Sequence, residues 1–404
     1  MAIDNNKSWI DARLNTTALT KVMMTEYWIP KNINFLWSFG VVLATLFTLL
    51  VVSGMFLLMY YKPDTALAFD SVNKVIMQEV AYGWLFRHIH AVAASVVFLV
   101  IYIHMFVAIY YGSYKGGREM IWISGMLLFV TFSAEGFSGY MLPWGQMSYW
   151  AAQVITNLFG GIPFIGADLV IWIRGNYVVA DATLTRFFAL HVLILPLIIM
   201  GIIGLHMYSL RIPHVNNQEG EEIDFEAEAA KFQAGDKKGS KVMPFWPTFL
   251  AEDFFVLSGF MIFFFYLVFF HFNFAMDPIN FMPADSMKTP PHIYPEWYFL
   301  WSYEVLRGFF FSANLGLVAF GIANVIFFVL PWLDRDPSVK PAHKRPLFRV
   351  WFWALIVVMI GLTVYGKLPP TGINAWIGFV FSVSFLVLLL VALPLISKIE
   401  RKRG

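Results

Sequence analysis

Four histidines at two spacings are the side chains with the clearest chemistry in this chain. His90 and His104 lie in GWLFRHIHAVAASVVFLVIYIH (residues 83–104), and His191 and His206 in FFALHVLILPLIIMGIIGLH (residues 187–206). Both stretches are apolar and long enough to cross a bilayer as helices. A separation of fourteen residues sets the first two rings about 21 Å apart and within about 40° of one face, whereas fifteen turns the second pair about 60° apart. Ionisable side chains in hydrocarbon are costly and mark function, so four imidazoles able to meet as two pairs at two depths require something to coordinate. Two trans imidazoles per site, apolar surroundings and no thiolate suit low-spin haem iron better than zinc, which takes four protein ligands or three and a water. The pattern reads as a di-haem membrane electron carrier.

The 404 residues are 59% hydrophobic and 13% charged, with 42 Phe and a mean hydropathy of +0.66, which describes a polytopic membrane protein. A net charge of +2 makes no case for nucleic acid as a partner. The absence of cysteine excludes disulfides, iron–sulfur clusters and thioether-linked haem, so a redox centre here must be held by His or Met. The first thirty residues lack the apolar core of a cleavable signal peptide, and the first span is expected to serve as the insertion signal.

The expected fold class is an all-α membrane protein of eight transmembrane helices, with a di-haem four-helix bundle (helices 1–4) and C-terminal helices 5–8. Residues 1–34 read as an interfacial amphipathic arm. Spanning runs are predicted at Phe35–Tyr60, Ala81–Tyr111, Met120–Leu142, Phe187–Leu210, Phe249–Phe274, Phe311–Trp332, Val350–Tyr365 and Ala375–Ile396. The bundle covers 35–211, a cytoplasmic loop 212–248, and the C-terminal region 249–404. The stretch 148–177, broken by Gly160, Gly161, Pro163 and Gly166, is expected as surface helices. With alternating spans, most of the 28 Lys and Arg residues fall in the arm, alternate loops and the tail, which puts both termini in the cytoplasm. His90 and His191 then lie towards the outer face, and His104 and His206 towards the cytoplasm.

Glycines repeat the histidine spacing: Gly40 and Gly54 on the first span, Gly125 and Gly139 on the third. A flat macrocycle between helices needs backbone without Cβ at its own depth, although small-residue packing of membrane helices is the plainer alternative. Arg87 and Arg186 stand where propionates at the outer face need charge compensation, or where interfacial arginines snorkel. In TPPHIYPEWYFLWSYEVLR, Glu296 lies in an apolar, aromatic setting that would raise its pKa and let it accept a proton near neutrality; an interfacial aromatic belt with a chance acid is the alternative.

The segments GWLFRHIHAVAAS, GYMLPWGQMSYWAAQVITNLFGGIPFIG, TLTRFFALH and TPPHIYPEWYFLWSYEVLR run in the order found in cytochrome b of the respiratory cytochrome bc complex, which the chain resembles over nearly its whole length. The resemblance implies two non-covalent haem b groups, His90 and His191 holding the outer, lower-potential one and His104 and His206 the inner, higher-potential one. It implies a quinol-oxidation site at the outer face built from Pro295, Glu296, Trp297 and Tyr298 with the surface helices. There Glu296 corresponds to the proton-accepting glutamate, Tyr140 and Tyr303 to site tyrosines, and Tyr303 would lie near a docked Rieske iron–sulfur protein. At the cytoplasmic face Asp253 corresponds to the acid of the quinone-reduction site. A c-type cytochrome subunit, ubiquinone or menaquinone, and a homodimeric complex in a bacterial inner membrane are further implications, as is bifurcated quinol oxidation coupled to proton translocation.

Three departures from the family pattern stand out. The fifteen-residue spacing on the fourth span, where the mitochondrial pattern has fourteen, suggests a bacterial chain whose second ring is re-aimed. Arg211 replaces the usual histidine five residues past the inner ligand, leaving His214 as a substitute proton donor. Ala151 stands after SYW where members sensitive to strobilurin-type inhibitors carry glycine, which implies weaker binding of such inhibitors. Two rivals remain on the residues alone: a proton or ion transporter with a histidine relay, and a di-haem anchor subunit of a membrane dehydrogenase. The matched glycines and the PEWY segment do not fit the first, and the long half after PEWY does not fit the second.

Overall fold

The computed structural model describes residues 8–402, so residues 1–7 of the expected arm and residues 403–404 of the C-terminal region lie outside it. Its helices follow the apolar runs: α1 Phe35–Leu58, α2 Gly83–Tyr110, α3 Glu119–Met141, α4 Gln146–Leu158, α5 Gly166–Arg174, α6 Asp181–Arg211, α7 Phe245–Phe270, α8 Leu300–Gly308, α9 Ala313–Val325, α10 Pro346–Lys367 and α11 Ile373–Arg401. Among the described residues, seven of these (α1, α2, α3, α6, α7, α10 and α11) are long and apolar enough to cross a membrane. Helices α4 and α5 occupy the stretch expected on the surface and are too short to span.

The sixth expected span, Phe311–Trp332, is interrupted. Helix α9 ends at Val325, the chain turns through residues 326–329, and helix resumes only over Leu330–Leu333. Pro331 accounts for the break, because it has no N–H to give and its ring excludes the carbonyl of Phe327 from a continuous ladder. That carbonyl instead accepts the indole N–H of Trp122 at 2.6 Å. The hydrogen bond lost to proline is thus recovered from α3.

Helix α1 lies along α2, α3 along α6, and α2 also meets α7. Val42, Leu46, Val96, Phe98, Ile199 and Phe264 form the core between them. A second core, with Trp301, Phe327, Trp351 and Phe385, seats α8 to α11 against Met105 and Trp122. Apolar residues such as Phe255, Ile262, Val350 and Val357 point outward, as on helices that meet lipid rather than water.

One end of the fold is tied by buried charge. Asp334 accepts both guanidinium nitrogens of Arg345 at 2.7 and 2.9 Å, the ammonium of Lys115 at 2.5 Å and the hydroxyl of Tyr114 at 2.5 Å. Arg345 reaches on to Glu400 at 3.0 Å. The α2–α3 loop, the lead-in to α10 and the end of α11 are thereby fixed to one carboxylate. At the same end β1 (Trp28–Pro30) pairs antiparallel with β2 (Val242–Pro244), which docks the N-terminal arm on the loop before α7.

Candidate redox site

The rings of His90 on α2 and His191 on α6 are neighbours, their centroids 6.1 Å apart and their planes crossed at 80°. A metal bonded to both Nε2 atoms at about 2 Å would put the centroids about 6 Å apart, so the pair is already at bridging distance. Hydrogen bonds decide which nitrogen is bare. Ser53 donates its hydroxyl to the Leu49 carbonyl at 2.6 Å, so its Oγ, 3.0 Å from His90 Nδ1, can only accept from that ring. Ser124 repeats this, donating to Met120 O at 2.8 Å and accepting from His206 Nδ1 at 2.9 Å. His191 Nδ1 sees two acceptors, the Glu135 carbonyl at 3.1 Å and its Oε1 at 3.0 Å. Three of the four rings therefore carry their proton on Nδ1 and leave Nε2 free as a metal donor. His104 on α2 lies close enough to His206 for their charges to interact.

The glycines make room for the rings. A Cβ on Gly54 would come 3.2 Å from His90, one on Gly125 3.3 Å from His206, and one on Gly139 only 2.4 Å from His191. A Cβ on Gly40 would meet nothing within 4 Å. Among the described residues no three His, Cys, Asp or Glu converge on one point, so the donor set is two imidazoles per site. That set, with its apolar walls, fits a metal whose remaining ligands come from a macrocycle.

The fifteen-residue spacing does not re-aim the second ring as the helical arithmetic predicts. Residues Leu190–Ile194 form a π-helical turn inside α6, immediately before Pro196. Without an N–H, and with its ring set against the carbonyl of Val192, Pro196 cannot close the α ladder there, and the turn takes up one extra residue. Fifteen residues with one absorbed in the bulge have the phase of fourteen in a straight helix.

Beyond the His90–His191 pair one cavity continues to Arg87, Tyr140, Glu296 and Tyr298. Tyr140, at the end of α3, donates its hydroxyl to Glu296. Burial pushes the Glu296 carboxyl up to about 8; the Tyr140 hydrogen bond pulls it partly back, and the negative charge of Asp277 adds to the rise. The aromatic segment around it is pinned to α2. Trp297 donates to Ser95 Oγ at 2.7 Å, Tyr102 donates to the Tyr298 carbonyl at 2.5 Å, and the Tyr298 ring stacks on Phe98 at 3.8 Å. Asn280 holds α4 to the same wall, its Oδ1 accepting from Ser148 N at 2.9 Å and Oγ at 3.0 Å.

Other expected site residues fall elsewhere. Pro295 opens the segment, and Tyr303, on α8, donates to the Ile293 carbonyl at 3.3 Å with Arg307 over its ring. Ala151 is buried in α4 and does not line the cavity. Arg186 donates to the Trp172 carbonyl at the end of α5 rather than entering the cavity beside Arg87. At the other end of α6, Arg211 lies 3.8 Å from the Tyr27 ring centroid, and His214 is stacked between Tyr27 and Phe225. Burial pushes the His214 imidazole below its ordinary range, a backbone hydrogen bond at Trp28 opposes this, and the charges of Arg118 and Arg211 add to the fall. Asp253 is buried and accepts from Ser38, with Oδ1 left unpartnered. A groove beside it is lined by Asn34, Ser38, Phe249 and Glu252. Ser53, Ser124, Glu135 and Asp277 were not singled out from the sequence, although a Ser-Gly pair opposite each of His90 and His206 is a readable signal.

Paired, oriented imidazoles buried between membrane-length helices define a polytopic helical membrane protein built to hold a metallocycle. Two family models match the chain, Cytochrome b/b6/petB over residues 24–213 and Cytochrome b(C-terminal)/b6/petD over residues 283–386. Cytochrome b of Allochromatium vinosum is 39% identical over 98% of this chain and 96% of its own length, and that of Rickettsia bellii 40% identical over 97% and 94%. The cytochrome b/c1 protein of Bradyrhizobium diazoefficiens is 39% identical over 98% of this chain, which spans 55% of that longer relative. A solved chain of a hyperthermophilic respiratory Complex III superposes with a TM-score of 0.87 at 40% identity, covering 98% of this chain and 99% of the other. The chain belongs to the cytochrome b family.

Proposed function

We propose that this chain is the haem- and quinone-binding subunit of a bacterial quinol:cytochrome c oxidoreductase, oxidising quinol at its outer face and reducing quinone at its cytoplasmic face. The observation that carries the reading is the His90–His191 pair: bridging distance, bare Nε2 atoms, and one cavity shared with Glu296. His90 with His191 and His104 with His206 would each hold one haem b, which when bound supplies one-electron carriers at two depths. Residues 313–333 make the sixth of eight crossings as two helical pieces around the Pro331 break, with both termini cytoplasmic and the first four spans forming the bundle. Arg87 stands where a propionate would need a cation.

The protein's own groups handle protons and orientation. Glu296, whose carboxyl ionises near pH 8, takes as carboxylate a proton from the hydroxyl of a bound quinol and returns it outward, with Tyr140 holding the carboxyl. Trp297 and Tyr102 keep the segment against α2 so that this distance does not drift. On the cytoplasmic face Asp253, with Ser38, supplies a proton to reduced quinone. The first electron leaves by a partner, for which a Rieske iron–sulfur protein and a c-type cytochrome subunit in a dimeric complex are the reading. Net proton translocation follows from oxidation outside and reduction inside.

A reductive titration of the purified protein followed in the visible tests this. Two b-type components with separate midpoints are expected, the outer lost in His90→Ala and the inner in His104→Ala. Protein that takes up no haem under loading conditions would overturn the reading and return the histidines to a proton relay.

A further inference from the structure

We propose that Glu135 is a positioning residue for His191, its carboxylate making the two imidazoles of the outer pair electronically unequal; the inference rests on the haem reading above. At His90 and at His206 a serine followed by a glycine serves the ring: the glycine admits it and the serine oxygen accepts from Nδ1. At His191 the same dipeptide, Ser138-Gly139, is present but its serine is turned away, donating to the Glu135 carbonyl at 2.9 Å. The Nδ1–H is taken over by Glu135, whose carbonyl lies at 3.1 Å and whose Oε1 lies at 3.0 Å. The second carboxyl oxygen, Oε2, is buried with no hydrogen-bond partner, and Glu135 lines the same cavity as Arg87, His90 and Glu296.

A carboxylate on the far nitrogen of a ligating imidazole fixes its orientation and strengthens it as a donor. In an apolar site the negative charge also acts over the short distance to the metal with little screening. Both effects favour the oxidised over the reduced form. His206, by contrast, leans on a neutral serine, so the chain holds its outer centre at the lower potential through one acidic side chain. The glutamate is one turn before Gly139, where its backbone carbonyl and carboxyl reach one ring together.

The test is the Glu135→Gln variant in the intact complex, titrated reductively at fixed pH beside the unmodified protein. Expected is a shift of the outer component's reduction equilibrium by at least tenfold towards the reduced form, about 59 mV for one electron, with the inner component unmoved. Glu135→Asp, which keeps the charge, is expected to stay closer to the original midpoint. An unmoved outer midpoint in Glu135→Gln, or equal shifts of both components, would show that Glu135 only fills space. Should the Gln variant not assemble, the near-infrared charge-transfer bands of the unmodified oxidised complex decide: the outer centre at higher energy than the inner supports the inference, and coincident bands overturn it. Loss of haem from the unmodified protein would instead overturn the function on which the inference rests.

Discussion

Trp297 donates its indole N–H to Ser95 Oγ at 2.7 Å, on the same helix as His90 and five residues beyond it. The segment that carries Glu296 is therefore fastened to the element that carries His90. Removing the donor while keeping an aromatic ring isolates this link. Trp297→Phe is expected to slow quinol oxidation by about tenfold, since small displacements of a reacting group cost that much or more, with both haem spectra unchanged. Steady-state quinol:cytochrome c reduction measures it, and an unchanged rate would separate the anchor from the chemistry.

The proton acceptance proposed for Glu296 has a definite pH signature. Its carboxyl is held up at about 8, so below that pH it is neutral and cannot accept, and quinol oxidation should rise with pH through about 8 with the slope of one proton. Asp277 contributes to the upward shift, and Asp277→Asn should move the rise to lower pH. Glu296→Gln should remove the step and slow oxidation while both haem spectra persist. A pH–rate profile that keeps its step in Glu296→Gln would assign the titration to another group.

The glycines differ in what a methyl group would meet, and the difference orders two variants. A Cβ at Gly139 would sit 2.4 Å from His191 Cε1, whereas one at Gly125 would sit 3.3 Å from His206 Cε1. Gly139→Ala should displace the ring and abolish or shift the outer b component while leaving the inner one. Gly125→Ala, requiring a yield of a few tenths of an ångström, should shift the inner component without abolishing it. Visible spectra during reductive titration would show the order, and two equal losses would contradict it.

Asp334 joins three segments through a buried carboxylate that faces Lys115, Arg345 and Tyr114. Asp334→Asn would leave the buried Lys115 without its carboxylate partner and Arg345 with Glu400 and Asp336 alone, a change that costs about 3–5 kcal/mol. The thermal midpoint of the complex should fall clearly, with the midpoints of both haems in surviving protein unchanged. A thermal midpoint equal to the original would mean that the network is solvated in the membrane-bound protein.

Much of this arrangement was legible from the sequence because spacing along an apolar helix is a one-dimensional quantity. His90 and His104 needed only the helical repeat, and PEWY only its aromatic context. What could not be read depends on partners distant in sequence. A serine in an apolar helix reads as bonded to its own backbone, which Ser53 and Ser124 are, and nothing local says that each oxygen then accepts from a histidine. Nothing local marks Glu135, whose ring partner lies on α6 and is met only where α3 packs against that helix. Arg186 found a backbone carbonyl on α5, a contact set by the loop rather than by its helix. The break in the sixth span was not legible because its apolar run passes through Pro331 without a change of composition.

The π-helical turn at Leu190–Ile194 offers the sharpest separation of geometry from sequence spacing. If it absorbs one residue ahead of Pro196, then deleting Leu193, which faces outward, shortens the His191–His206 interval to fourteen while the bulge collapses into a regular ladder. Both rings keep their phase, and both b components should remain. Deleting Gly201, which lies in the α-helical part after the bulge, removes a residue that nothing compensates and should turn His206 about 100° away from His104. That variant is expected to lose the inner component, whereas the Leu193 deletion keeps it. Reductive titration of the two deletions side by side measures this, and retention of both haems in each would show that the rings find their partners without help from the bulge.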